Sequence, residues 1–157
     1  MLKRLILLAT AAVAVATPAL AQSNNPVQLN SDVLVERTVT EGTQTRVVLE
    51  EPRAVVPGDT LVFVLRYENT GRQPATNFVI TNPLPQAVRY TGTVDAGATV
   101  SVDGGRNWGL LSALSVREPG GAMRPARAEE VTHIRWAFAQ PIPAGDSGRL
   151  MFRGIVR

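Results

Sequence analysis

The sequence contains no cysteine, and this absence removes several classes of function at once. Disulfide bonds, thiolate metal sites, a cysteine nucleophile and a lipoprotein anchor all require that residue. Histidine occurs once, at His133, so a metal site or a catalytic triad built on imidazole would depend on this single residue. Lysine also occurs once, at Lys3. Schiff-base chemistry, a Ser-Lys dyad and Lys-Asn isopeptide crosslinks are therefore excluded from the rest of the chain.

Charged and aromatic residues are also few, at 18% and 5%, whereas 45% of the chain is hydrophobic. This composition is typical of a globular protein, and 157 residues suffice for one ordinary domain. After residue 21 there are fourteen arginines, spread along the chain, and thirteen acidic residues, so the net charge is only +1. We expect no nucleic-acid binding, because a nucleic-acid platform needs clustered basic residues interleaved with exposed aromatic ones.

The first 21 residues carry the three parts of a secretory signal peptide in the usual order. Lys3 and Arg4 form the positive region, and residues 5–16 are an apolar run of 12 residues. Residues 17–21 supply a proline and the small residues that a signal peptidase reads. The run is shorter than the ~20 residues of a membrane-spanning helix. The sequence thus predicts export to the periplasm or cell surface, cleavage after Ala21, and no membrane span in the remaining chain.

The segment after the signal peptide, residues 22–31, is polar and contains a proline. We predict a flexible tail here, because such termini rarely bury enough surface to be ordered. The tail lacks the apolar alternation of a donor strand, so we expect that a protein without residues 22–31 still folds as a monomer.

Beyond the tail, apolar residues recur with the period of two that is typical of β-strands. Nine strands are predicted, with short turns rich in glycine and proline between them, at residues 32–40, 45–50, 61–68, 76–81, 87–94, 98–102, 106–111, 131–138 and 149–156. We expect one all-β domain over residues 32–157, with an inserted loop at residues 112–130. The strand pattern indicates an immunoglobulin-like antiparallel β-sandwich, with a small closed β-barrel as the alternative. The predicted core contains Leu61, Phe63, Leu65, Phe78, Ile80, Trp136, Phe138, Leu150 and Phe152.

Several turn motifs follow one another in an order that is known from one family. Val-Pro-Gly-Asp at 56–59 precedes a predicted strand that Asn-Thr-Gly at 69–71 ends, and Asn-Pro-Leu-Pro forms a corner at 82–85. A strand with Ile-Arg-Trp at 134–136 and a Pro-Ala-Gly-Asp turn at 143–146 complete the order. The chain resembles the bacterial conserved-repeat domain, family eleven of the domains of unknown function. The resemblance implies an immunoglobulin-like fold in an exported or surface protein, and no catalytic residues. The chain departs from the family in having a single copy and a long inserted loop.

A second motif lies in the turn between two of the predicted strands. Ser101, Asp103, Gly105 and Trp108 match the Asp-box pattern Ser-x-Asp-x-Gly-x-x-Trp. In such a box the aspartate accepts backbone hydrogen bonds within the turn while the aromatic ring packs beneath it. The box also occurs in sialidase propellers, where several copies are expected, whereas this chain has one. We therefore interpret these four residues as a structural hairpin rather than as a site of chemistry.

Other candidates for chemistry are weak. His133 shares strand parity with Val131 and Arg135, opposite the apolar residues of its strand, and is predicted to face outward. The adjacent carboxylates at 50–51 and 129–130 would point to opposite faces of a strand, so they do not form a catalytic pair. We predict no catalytic, cofactor-binding or metal-ligating residue, and we expect that the protein is not an enzyme.

The sequence thus favours a non-enzymatic exported module with a structural or interaction role in the bacterial envelope. Its partner would be an unidentified envelope or surface protein, or a glycan. Two alternatives stay open. The Asp-box and Trp108 would suit a carbohydrate-binding accessory domain, and the N-terminal tail would suit a filament subunit that assembles by strand donation.

Overall fold

Ten β-strands and two short 3-10 turns form the regular structure of residues 26–157, the part of the chain that the computed structural model describes. The strands are β1 (Val27–Glu41), β2 (Gln44–Glu50), β3 (Thr60–Asn69), β4 (Val79–Pro83), β5 (Val88–Thr93), β6 (Ala98–Ser101), β7 (Ser115–Arg117), β8 (Met123–Pro125), β9 (His133–Ala137) and β10 (Ser147–Val156). Over these residues we find no helix with the length and apolar character needed to cross a membrane. The predicted signal peptide, residues 1–21, lies outside the described residues.

Two sheets make up the body of the domain. The larger has the strand order β2-β1-β3-β10-β5 and the smaller has the order β4-β9-β6, while β7 and β8 form a separate hairpin. Every strand pair is antiparallel, and the described strands leave the larger sheet open at β2 and β5. The immunoglobulin-like β-sandwich is therefore confirmed, and the closed barrel is excluded.

The core lies between the inner faces of the two sheets. Alternate residues of β3 point inward, and the ring of Phe63 stacks on that of Phe152 in β10 with 4.4 Å between the centroids. Ile134 and Trp136 of β9 meet them from the smaller sheet. The predicted core is confirmed for seven residues, but Phe78 and Phe138 are only partly buried, since both pack at the margin of the buried cluster. Full burial of side chains of this size stabilises the fold by ~1.5–3 kcal/mol each.

The flexible tail predicted for residues 22–31 is wrong for its second half. β1 begins at Val27 and pairs with β3 from Val27 to Glu36, so residues 27–31 belong to the larger sheet. Leu29 is 46% exposed and its polar neighbours point to solvent, which is why alternation is weak here. Backbone pairing rather than side-chain burial orders the segment. Residues 22–25 lie outside the described residues.

Two of the nine predicted strands also need correction. No strand forms at residues 106–111, where only Gly109 bridges to Val100. The amides of Arg106 and Asn107 bind the side chain of Asp103 and are therefore unavailable to a ladder. The strand predicted at 76–81 begins only at Val79, because the backbone leaves the extended region before it, with φ of +52° at residue 77.

The inserted loop predicted at residues 112–130 contains regular structure. It comprises the β7–β8 hairpin and two 3-10 turns, Leu111–Ala113 and Ala128–Glu130. The amide of Ala126 donates to the carbonyl of Leu114 at 2.9 Å and thereby closes the base of the hairpin. The segment is therefore folded rather than an unstructured connection.

Candidate functional site

The four predicted Asp-box residues come together in one turn between β6 and residue 109. The hydroxyl of Ser101 donates to Asp103 Oδ1 at 2.7 Å and accepts from the amide of Gly105 at 2.9 Å. Asp103 Oδ1 also accepts from the amides of Arg106 and Asn107, at 3.0 and 2.9 Å. These hydrogen bonds, led by the Asn107 amide, hold the pKa of Asp103 well below its usual range. Because the carboxylate is occupied within its own turn, its role here is structural.

The ring of Trp108 is covered by neighbouring side chains. The guanidinium carbon of Arg135 lies 3.6 Å from the ring centroid, and the ring of His133 meets it edge to face at 6.2 Å. The indole Nε1 donates to the carbonyl of Gly105 at 2.8 Å. His133 thus lies on the outward side of β9, but Trp108 half buries it. A sugar-stacking platform needs an open aromatic face, and Arg135 occupies one of the two faces of this ring.

A cleft of about 470 Å³ lies between the Asp-box turn and the β7–β8 hairpin. Its apolar lining includes Leu114, Val116 and Met123, and Met123 is 58% exposed. Asp103 and Asn107 supply polar groups at its rim, but both are engaged with each other, with Asn107 Nδ2 donating to Asp103 Oδ2 at 2.6 Å. The side chains of Asp103 and Asn107 are therefore already engaged within the turn, whereas Ser115 and Arg117 also line the cleft.

The neighbouring hairpin is held in place by an ion pair. Arg124 Nη1 donates to Glu130 Oε2 at 2.8 Å, and the amide of Arg127 donates to the same oxygen at 2.9 Å. The hydrogen bond from Arg124 is the main cause that lowers the pKa of Glu130 to about 2. Glu129 instead faces Arg89 at 3.8 Å, so the two adjacent carboxylates have different partners. They lie in the 3-10 turn Ala128–Glu130 and not on a strand, so the strand geometry used to separate them in the sequence analysis is wrong.

The residues that resemble the conserved-repeat motifs have structural roles. Asp59, which is 9% exposed, receives both guanidinium nitrogens of Arg37 at 2.6 and 3.2 Å and the amide of Val56 at 3.0 Å. The hydrogen bond from Arg37 is the largest influence that lowers its pKa. Asn69 is fully buried, and its Nδ2 donates to the carbonyls of Gln73 and Ile142 at 2.9 and 2.8 Å. Both motifs therefore anchor turns to strands.

The outer edge of β2 is exposed and unpaired, a feature that the sequence analysis did not predict. β2 ends the larger sheet, and six of its seven residues are exposed. Val47 is 60% exposed and Leu49 is 44% exposed. Natural edge strands are usually protected by charged side chains, proline, a bulge or short length. β2 has seven residues with no proline and no bulge, and its charged residues Arg46 and Glu50 flank an apolar segment at residues 47–49. Its sequence, Gln-Thr-Arg-Val-Val-Leu-Glu, carries this signal, but its edge position depends on topology.

Comparison of the chain with known protein families, with curated proteins and with solved structures gives no match in any of the three. In the described residues, no group of three or more histidine or acidic side chains is arranged to hold a metal ion.

Proposed function

We propose that the protein is a non-enzymatic, exported module of the bacterial envelope, and that it binds protein through the edge strand β2. The resemblance to the bacterial conserved-repeat domain and the signal-peptide pattern of residues 1–21 support the location. The single observation that supports an interaction role is the exposed, unpaired edge of β2, which is seven residues long and has Val47 and Leu49 exposed at its centre. Such an edge offers a row of backbone donors and acceptors to an added strand, and its side chains select the partner.

The two alternative hypotheses have less support. A carbohydrate-binding role at Trp108 would need a ring face that Arg135 covers. A strand-donating filament subunit would need an N-terminal segment that reaches a neighbour, whereas residues 27–31 pair with β3 of their own domain. Neither alternative gains a specific contact in its favour.

Site-specific photo-crosslinking in the native bacterium tests this function. A photoreactive residue at Val47, which is 60% exposed on β2, should capture a protein partner in the envelope fraction. The matched control is Leu110, which is 65% exposed beside the Asp-box turn and should give little adduct. Adducts at Leu110 without adducts at Val47 would overturn the assignment to β2. Mass spectrometry of the exported form should find its N-terminus at residue 22, and an N-terminus at Met1 would overturn the export proposal.

A further inference from the structure

We infer that β2 pairs antiparallel with β2 of a second copy of this chain, about a two-fold axis at Val48. This inference rests on the proposed function, because it names the partner that the β2 edge binds.

The hairpin geometry decides which backbone groups of β2 face outward. A two-residue loop joins β1 to β2 and closes on the pair Glu41 and Gln44, with Gly42 at φ +63°. In a loop of this kind the closing pair exchanges both hydrogen bonds, and bonded pairs then alternate along the ladder. The amides and carbonyls of Thr45, Val47 and Leu49 consequently point away from β1, toward the open edge.

Only a few registers let two copies of β2 bond through these outward groups. With Val48 on the axis, Val47 lies opposite Leu49 of the second copy, and both are outward-facing residues. Arg46 then lies opposite Glu50 of the second copy, and this pair occurs twice by symmetry. A shift that places Val47 on the axis would put Arg46 opposite a valine. A shift that places Leu49 on the axis would put Arg46 opposite Pro52. Of these three registers, only the one centred on Val48 places apolar side chains opposite apolar ones and a positive side chain opposite a negative one.

The exposure of the hairpin gives the pairing a reason to form. β3 accompanies β1 only as far as Glu36, whereas β1 and β2 continue together to their loop. Over the described residues, most of β2 therefore belongs to a ribbon of two strands, β1 and β2, with no third strand beside it. A two-stranded ribbon is marginally stable in water. Pairing with a second copy would make this ribbon four-stranded and would cover Val47 and Leu49. The existing partner of Arg46 is Glu41 at 2.9 Å, an exposed ion pair that contributes little.

The expectation from the sequence that the protein is a monomer depends on the number of predicted strands. That number indicates that the domain is complete within one chain, and a complete domain with an open edge can still dimerise. The two ideas concern different questions, and an experiment on the intact protein separates them.

Disulfide trapping of protein produced from the full-length gene tests the register, because the chain has no cysteine of its own. Val48 pairs with itself at a non-hydrogen-bonded position, where Cα atoms lie ~4.5 Å apart and a disulfide can form. Val48→Cys should therefore oxidise to a covalent dimer. Val47→Cys is the matched control: it is more exposed, but its two copies would be diagonal neighbours with Cα atoms ~7–8 Å apart, beyond the reach of an unstrained disulfide. Equal trapping at both positions would overturn the register.

Charge reversal tests the pairing independently, with sedimentation equilibrium as the measurement. Arg46→Glu and Glu50→Arg should each weaken dimerisation at least ~tenfold, because each places like charges opposite one another twice. The double variant R46E/E50R should restore dimerisation toward that of the unchanged protein. A melting curve for each variant shows that the domain remains folded. Dimerisation that is unaffected by either single change, or not restored by the double change, would overturn the inference.

The outcomes also separate the inference from the proposed function. If Val47 crosslinks to a different envelope protein and Val48→Cys gives no disulfide, β2 is an interaction edge and the second copy is not its partner. If Val47 captures nothing and no dimer forms, both proposals fail.

Discussion

The stacked pair of Phe63 and Phe152 offers a sharp test of how the inner face of the larger sheet is packed. Their ring planes are 3° from parallel, and the side chains are 5% and 0% exposed. They are also direct register partners between β3 and β10, so neither ring can relax into the space of the other without distorting the sheet. Phe63→Ala should therefore cost ~3–5 kcal/mol of unfolding free energy, a large share of the ~5–15 kcal/mol that a domain possesses.

A double-mutant cycle with Phe63→Leu, Phe152→Leu and the combined change separates the stacking contribution from simple loss of volume. We expect a coupling of ~0.5–1.5 kcal/mol, measured by urea denaturation with a common slope for all variants. Val79→Ala is the matched control, since Val79 is 46% exposed on β4 and its truncation should change stability by less than ~0.5 kcal/mol. A loss below 1 kcal/mol for Phe63→Ala would refute the assignment of these rings to the core.

Three further predictions concern the N-terminal strand, the β7–β8 hairpin and the aromatic site. Deleting residues 22–31 should lower the melting temperature by more than ~5 °C, because the deletion removes five of the ten residue pairs between β1 and β3. Identical melting curves for the two proteins would show that the segment is dispensable. The folded pKa of Glu130, about 2, lies below its usual 4.5, so its stabilisation is present above pH 4.5 and is lost as pH falls toward 2. The melting-temperature advantage over Glu130→Gln should shrink across that range, and a constant difference would contradict this assignment. On a glycan array, the protein and Trp108→Ala should give the same profile, and a specific signal lost only in the variant would revive the sugar-binding hypothesis.

Features that depend on short stretches of chain could be predicted from the sequence. The faces of β3 followed from a period of two over residues 61–68, and the Asp-box followed from eight consecutive residues that contact one another locally. In both cases the physical cause lies within the segment itself, either alternate burial on a pleated strand or hydrogen bonds inside one turn.

Features that depend on the arrangement of distant segments could not be predicted from the sequence. Arg135 covers Trp108 across 27 positions of sequence, and no local pattern connects the two. Residues 27–31 show little apolar alternation, and they are ordered by backbone pairing to β3. Composition does not reveal such pairing. The edge position of β2 likewise follows from sheet order rather than from its own residues.

The structural role of the Pro-Gly-Asp turn also bears on the proposed interaction edge. Arg37, which binds Asp59 through both of its terminal nitrogens, is the direct register partner of Val48 in the β1–β2 hairpin. Asp59 in turn lies against the body of the sandwich, where the amide of Val156 donates to its carbonyl at 2.9 Å. This chain of contacts ties the projecting hairpin to β10 at the residue that would lie on the two-fold axis. An edge held in a defined position loses less conformational entropy when a second strand adds to it, so the turn would favour the proposed pairing without touching the partner.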